Sequence, residues 1–242
     1  ANDMISAVFE GRVDYLMVGY SWVARSNIPA VLSLRAAHVF TDYPVDYVFS
    51  LRNDWPELQS IMDKGLAAIS ATEKRTISDK WLSAKVSKDD GIKVALNDIE
   101  QQFVLDHPNI TLAGSEDFRP YIFLAEGGQV EGIAPDFLTR INQLTGLNIT
   151  IRVDDWQTMI DKARSRELDG FAIGSSRTMQ KELFIASTPI SREYPVVFVK
   201  AGNPKDIQTI GDLRHKRMAL PSRTPMLENM KSSLVGVEGV YT

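Results

Sequence analysis

The hydroxyl-bearing run Ser175-Ser176-Arg177-Thr178 is where residue types and spacing first point to chemistry. It follows a short apolar segment and precedes a helix start, where free backbone N–H groups and short hydroxyls favour an anion. Capping of that helix alone would account for one of the hydroxyls. The chemistry on offer is recognition, because the groups that turnover needs are missing. The sequence has no cysteine, no Gly-x-Ser-x-Gly elbow and no Gly-x-x-x-x-Gly-Lys-Ser loop. His38, His107 and His215 stand apart, without metal-ligand spacing. The pairs Asp89-Asp90 and Asp154-Asp155 fall in polar, loop-like contexts where solvation explains them. No catalytic constellation, metal or cofactor is expected.

The elements that must position these hydroxyls lie between Ile110 and Ile190. Ile110-Thr-Leu-Ala113 is a short apolar run; Phe118-Arg-Pro-Tyr121 then turns into Ile122-Phe-Leu124, which Gly127-Gly128 breaks. Pro135 suits a first helical turn, and Phe137, Leu138, Ile141 and Leu144 share one helical face, with Gly146 as a stop. Asn148-Ile-Thr-Ile-Arg-Val153 alternates with period two. Trp156, Met159, Ile160 and Ala163 recover helical spacing, and Gly170-Phe-Ala-Ile173 is a short apolar strand. Strand, helix, strand, helix, strand predicts an α/β lobe with a largely parallel sheet.

A chain of 242 residues has room for one large or two small domains. Apolar content of 44% and charged content of 24% are those of a soluble globular chain. A net charge of -4 leaves no electrostatic footprint for nucleic acid or an anionic membrane. The lack of cysteine rules out a disulfide framework and fits either compartment. No apolar run reaches the ~18 residues that span a bilayer, and the first residues form neither a basic leader nor an apolar signal core. The chain is therefore expected to be an excised soluble piece.

Several local motifs resemble one known family. Phe118-x-Pro-Tyr121, Gly128-x-x-Glu-Gly-Ile-x-x-Asp136, Leu168-Asp169, and Thr178-x-x-Lys181 followed by Thr188-Pro189 are similar to the first lobe of bacterial family 3 extracellular solute-binding domains, the Venus flytraps. The resemblance implies an α/β fold of the periplasmic-binding-protein-like II class. Two lobes are expected, each a mixed, mainly parallel sheet flanked by helices. It also implies a small-molecule ligand between the lobes. Phe118 and Tyr121 would wall it, Ser175 and Ser176 would offer hydroxyls, and Arg223 and Thr224 would face it from a helix start in lobe two. Where the family's Thr-x-x-Arg clamps an α-carboxylate, Lys181 stands, a point charge without the planar fork; Arg177 could substitute. Where the family places an ammonium-binding aspartate stand Val18, Gly19 and Tyr20, none acidic. With both charged partners altered, a standard zwitterionic amino acid is not the expected ligand.

The order of the remaining motifs departs from the family. Ala7-Val-x-x-Gly-Arg-Val-Asp14 resembles a second-lobe signature, Val45-Asp-Tyr-Val-Phe-Ser-Leu51 a return crossover, and Asp54-Trp-Pro-Glu57 with Lys80-Trp-Leu82 the closing helices, yet all precede the first-lobe motifs. Ser70-x-x-Glu73 is a capping box. Residues 1–82 thus read as the C-terminal part of one flytrap, 83–108 as a linker with a helix bearing Ile92, Leu96, Ile99 and Phe103, and 109–242 as the N-terminal part of the next. Tyr194-Pro-Val-Val-Phe-Val199 is the expected outgoing crossover, and Ser222 a cap for a helix bearing Met226, Met230 and Leu234. This circularly permuted order predicts a window on a tandem array, whose pieces combine into one two-lobed body within a chain or in a swapped homodimer. The resemblance implies a periplasmic sensing domain of a membrane-bound signalling protein, a sensor histidine kinase or a diguanylate cyclase, with neighbouring flytrap and signalling domains as partners. The alternatives are the solute-binding protein of an ABC importer, a flytrap-fold enzyme, and a lytic transglycosylase regulatory domain.

Overall fold

The computed structural model describes residues 2–19, 34–82, 94–175, 183–220 and 238–241. The chain divides into two compact units: residues 46–191, here lobe one, and residues 1–45 with 192–242, here lobe two.

Lobe two is built on a five-stranded sheet. Its strands are β1 (Tyr15–Gly19), β2 (Leu34–Val39), β12 (Pro195–Lys200), β13 (Arg217–Leu220) and β14 (Glu238–Tyr241), in the order β14-β13-β1-β12-β2. β1 lies parallel to β13 and antiparallel to β12. Its five residues are all buried, as suits a strand covered on both faces. Tyr15 and Met17 join Phe40, Val197, Val199 and Met218 on one side, while Leu16 and Val18 meet Met4, Ile5 and Val8 of helix α1 (Asn2–Phe9) on the other. The sequence places the Val13–Val18 strand and the helix before it; β2, whose residues do not alternate, it does not flag.

Lobe one has β3 (Val45–Arg52), β4 (Ile110–Ser115), β8 (Ile149–Asp154), β9 (Gly170–Ser175) and β10 (Phe184–Ala186) in the order β10-β3-β9-β4-β8, with β11 (Ser191–Glu193) pairing β3. A small sheet of β5 (Asp117–Phe118), β6 (Ile122–Leu124) and β7 (Val130–Glu131) adjoins it in sequence. β4 is parallel to β8 and β9, and β3 is antiparallel to β9 and β10. Both main sheets are therefore mixed, the parallel pairs being those that crossover connections require.

The helices follow their sequence signals. α2 (Pro56–Ala68) starts with its proline and buries Leu58, Ile61, Met62 and Leu66. α3 (Ala71–Leu82) starts from the Ser70–Glu73 box, in which Glu73 N–H donates to Ser70 Oγ (3.2 Å) and Ser70 N–H to Glu73 Oε2 (2.8 Å). α5 (Ile133–Thr145) buries Phe137, Leu138, Ile141 and Leu144 and ends at Gly146, left-handed at φ 79°. α6 (Trp156–Arg164) is capped by Asp155 and buries Met159 and Ala163. Each fully buried aliphatic side chain contributes about 1.5–3 kcal/mol. A Cβ on Gly65 of α2 would stand 3.2 Å from Ile141, so the absence of a side chain sets the close packing of α2 on α5.

The helix expected to bear Ile92, Leu96, Ile99 and Phe103 is shorter than that spacing implies. α4 spans Asp98–Asp106, Ile99 is 66% exposed, and Ile92 lies outside the described residues. An Asn97–Glu100 capping box fixes the start, and the buried face carries Glu100 and Phe103. The helix turns this way because Glu100 has a cation to meet, Lys64 of α2. Residues 26–29 and the segment bearing Ser222, Met226, Met230 and Leu234 lie outside the described residues.

Segments from the front and back of the chain share both sheets. The lobe-one core joins Phe49, Leu51, Ile61 and Met62 to Ile110, Leu112, Phe137 and Ile141. Asp14 and Arg217, 203 residues apart, meet as Arg217 N–H donates to the Asp14 carboxylate at 2.8 Å.

Candidate functional site

Three of the sequence-predicted residues gather around Tyr47, which the sequence reading missed. Phe118 closes β5, a cis Arg119-Pro120 bond follows, and Tyr121 leads into β6. The Tyr47 ring lies 4.3 Å from that of Tyr121 and 5.7 Å from that of Phe118; Phe118 and Tyr121 stack at 5.5 Å. Ser175 ends β9 directly opposite Tyr47 in the strand register. Tyr47 sits in an alternating strand with no local motif, so only pairing across the sheet reveals it.

The two expected wall residues have different fates. Tyr121 is buried, 2% exposed, with its hydroxyl 3.0 Å from Ser191 Oγ, so it positions the loop from within the core. Phe118 is half-buried, the more exposed ring of the pair, and packs against the lobe-one core. Ser176, Arg177, Lys181, Arg223 and Thr224 lie outside the described residues.

The loop is held by the glycine motif behind it. A Cβ on Gly132 (φ 136°) would stand 2.4 Å from Tyr121 O, so only glycine lets the chain pass there. Ile133 N–H then donates to Pro120 O (3.0 Å) and Ala134 N–H to Tyr121 O (2.9 Å). The first amides of α5 are thus spent on the aromatic loop. The last motif residue, Asp136, is a bracket: Oδ2 accepts from Lys80 Nζ and Trp81 Nε1, both at 2.7 Å. Arg140 Nη2, one turn on, pairs with Glu73 Oε1 at 3.0 Å. Five residues, Glu73, Lys80 and Trp81 of α3 with Asp136 and Arg140 of α5, thereby hold the closing helix to the rest of lobe one.

The strand exit at residues 186–191 is similarly pinned. Gln59 Nε2 donates to Ala186 O (2.6 Å), and Asp63 Oδ1 accepts from Thr188 N–H (2.6 Å) and Thr188 Oγ1 (2.9 Å). Ser187 Oγ accepts from Phe49 N–H at 3.1 Å. Elsewhere on α2, Glu100 accepts from Lys64 Nζ and Ser60 Oγ. Burial opposes the Glu100 charge, but hydrogen bonds from Lys64, Ser60 and the Asn97 amide outweigh it and hold the carboxyl below its ordinary value. Arg52 donates twice to Asp54, at 2.7 and 2.8 Å, and with Arg166 pulls that carboxyl down to about 2.

In lobe two, a Cβ on Gly19 would stand 2.0 Å from Glu193 Oε2. The carboxylate of Glu193 therefore occupies the place of a residue-19 side chain, at the position where the sequence shows no acid. Because Glu193 lies far along the chain, no spacing rule could have found it. Tyr15 is fully buried, and its hydroxyl has no hydrogen-bond partner among the described residues; burial pushes the phenol's pKa up. No group of three or more His, Asp or Glu residues able to hold a metal occurs among the described residues. No described helix is long and apolar enough to cross a membrane.

The chain is similar to the virulence sensor protein BvgS of Bordetella bronchiseptica, with 32% identity over 123 residues covering 50% of this chain and 10% of that protein. With BvgS of Bordetella pertussis it shares 30% identity over 175 residues, covering 70% and 14%. Among solved structures, the periplasmic VFT2 domain of Bordetella pertussis BvgS aligns with a TM-score of 0.48 and 20% identity over 61% of this chain and 63% of that one. The chain thus spans about a tenth of the length of the first of these relatives. Residues 110–235, over half of the chain, match one family throughout. The chain belongs to the bacterial extracellular solute-binding proteins, family 3.

Proposed function

We propose that this chain is part of the periplasmic ligand-sensing region of a membrane-bound bacterial signalling protein, a sensor histidine kinase. The observation that carries this reading is similarity to sensor proteins combined with segment order: closing segments precede opening ones, yet both contribute strands to the same two sheets. A window on a tandem array has that order, with 1–82 completing one flytrap, 83–108 linking, and 109–242 beginning the next. In such an array each closing portion would make with the preceding copy the contacts that 1–82 makes here with 109–191. Ligand energy enters as a difference in affinity between two conformations and is passed to attached domains.

The ligand is proposed to be a small molecule other than a standard zwitterionic amino acid. Phe118 supplies the more exposed ring of its pair, and the hydroxyls of Ser175 and Ser176 with Arg177, Lys181, Arg223 and Thr224 supply polar contacts. Thermal-shift screening of the chain against amino acids, amines and dicarboxylates tests this. A shift with an amine or dicarboxylate and none with common amino acids is expected; strong stabilisation by an ordinary amino acid would overturn the ligand class. Sequencing the flanking gene tests the sensor assignment. A further flytrap copy, a membrane span and a kinase or cyclase domain are expected, and a single copy in ordinary order behind a signal peptide would instead make this a transport protein.

A further inference from the structure

We propose that α2 is a coupling rod that transmits changes in the exit strap, residues 186–191, to the linker helix α4. The polar stripe of α2 carries two pairs of hands. Gln59 and Asp63 hold the strap, at Ala186 O and at the amide and hydroxyl of Thr188. Their neighbours Ser60 and Lys64 hold Glu100 of α4, at 2.5 Å and at 2.5 and 2.7 Å. Each pair is spaced i, i+4, so each forms one row along the helix. A groove of about 490 Å³ lies along this stripe.

The stripe transmits because both ends are costly to release. Glu100 is 2% exposed, so withdrawing Lys64 would leave a buried carboxylate without its cation. It is cheaper for α4 to follow α2. At the strap, one Asp63 oxygen accepts two donors from Thr188, and charge-assisted bonds of this kind are roughly twice as strong as neutral ones. Between the two ends, Leu58, Ile61 and Met62 are fully buried, which makes α2 move as a body. Two residues beyond the strap's Pro189, Ser191 meets the Tyr121 hydroxyl, and Tyr121 stacks on Phe118. The path therefore runs from the aromatic loop, through the strap where the chain leaves lobe one, to the helix that leads into residues 109 onward. Its use in signalling rests on the sensing reading above; the coupling itself does not.

Residue-resolved amide exchange of the ligand-free full chain tests the coupling. Asp63→Ala should accelerate exchange of α4 amides 101–106 by about tenfold, within the usual range of coupling between sites, although Asp63 holds the strap. Thr188→Val, which keeps the amide donor and the side-chain shape, should do the same more weakly. Linkage requires the reverse: Glu100→Gln must accelerate exchange at Thr188 and Ile190 by a comparable factor. Strands β4 and β8 give the baseline for global destabilisation, and Lys80→Ala, at the α3–α5 bracket, serves as control. Acceleration in α4 no greater than in β4 and β8, or loosening of the strap with α4 unchanged, would overturn the proposal. A ligand screen without hits would count against sensing while leaving this result standing.

Discussion

Removing the Asp136 carboxylate should undo the docking of the closing helix. Asp136→Ala deletes the acceptor shared by Lys80 Nζ and Trp81 Nε1. Lys80 is 52% exposed on its side chain, so its ion pair is worth under about 1 kcal/mol. The indole N–H belongs to a residue only 9% exposed, and a hydrogen bond to a charged acceptor there is worth about 1.5–3 kcal/mol. The sum, about 1.5–4 kcal/mol, corresponds to a fall in Tm of roughly 3–16 °C for a body of this size. Besides this acceptor, α3 is held by the Arg140–Glu73 pair, by Trp81 as its buried anchor and by the partly covered Ile77. Denaturant titration followed by tryptophan emission, with Asp136→Asn, Lys80→Ala and Trp81→Phe in parallel, separates the two contributions. Asp136→Asn keeps an oxygen for the indole and should lose about half as much. At ~1 M salt, where the screening length is about 3 Å, the Lys80→Ala effect should vanish while the Asp136→Ala effect largely persists. A Lys80→Ala loss as large as that of Asp136→Ala, or a Trp81→Phe variant as stable as the parent chain, would refute this account.

Other outcomes follow from single positions. Tyr15→Phe should be neutral or stabilising by up to ~1 kcal/mol in thermal melts, because it removes a buried hydroxyl that finds no partner among the described residues. Gly170→Ala should cost about 3 kcal/mol or more by denaturant titration: φ is 153° and the added Cβ would lie 2.1 Å from Ser50 O. Asp54 has a folded pKa of about 2 against an ordinary 3.8, so the stability it contributes is complete above pH ~4 and lost as pH falls towards 2. An Asp54→Asn chain should show a shallower acid-unfolding profile in that window.

Where sequence sufficed, one local pattern decided the element. The face of α5, its Gly146 stop, the Ser70–Glu73 box and the apolar β1 are written in residues within a few positions of one another. Apolar spacing puts Ile99 and Phe103 on one helix without saying which is buried; a buried carboxylate, Glu100 paired to Lys64, turns α4 so that Phe103 is covered and Ile99 is exposed. Of the candidate site, the motif gives the place of Phe118 in the aromatic loop and not its role there. Tyr121 sits in the same motif, but whether its ring lines a surface or fills a core depends on Ser191 and Tyr47, 70 residues downstream and on another strand. Glu193 beside Gly19 is invisible for a similar reason: strand neighbours create the juxtaposition, and no periodicity encodes it.

In both main sheets an early strand sits inside, between strands made much later: β1 between β13 and β12, and β3 between β10 and β9. A chain diluted from denaturant cannot finish either layer by zipping neighbours together; its first strands must wait, apolar and unpaired, for partners from the far end. Loop closure of that span comes before any reward, which makes refolding slow and concentration-sensitive. A stranger's strand could fill the vacancy first, and the molecule's yield would then depend on how thinly its copies are spread.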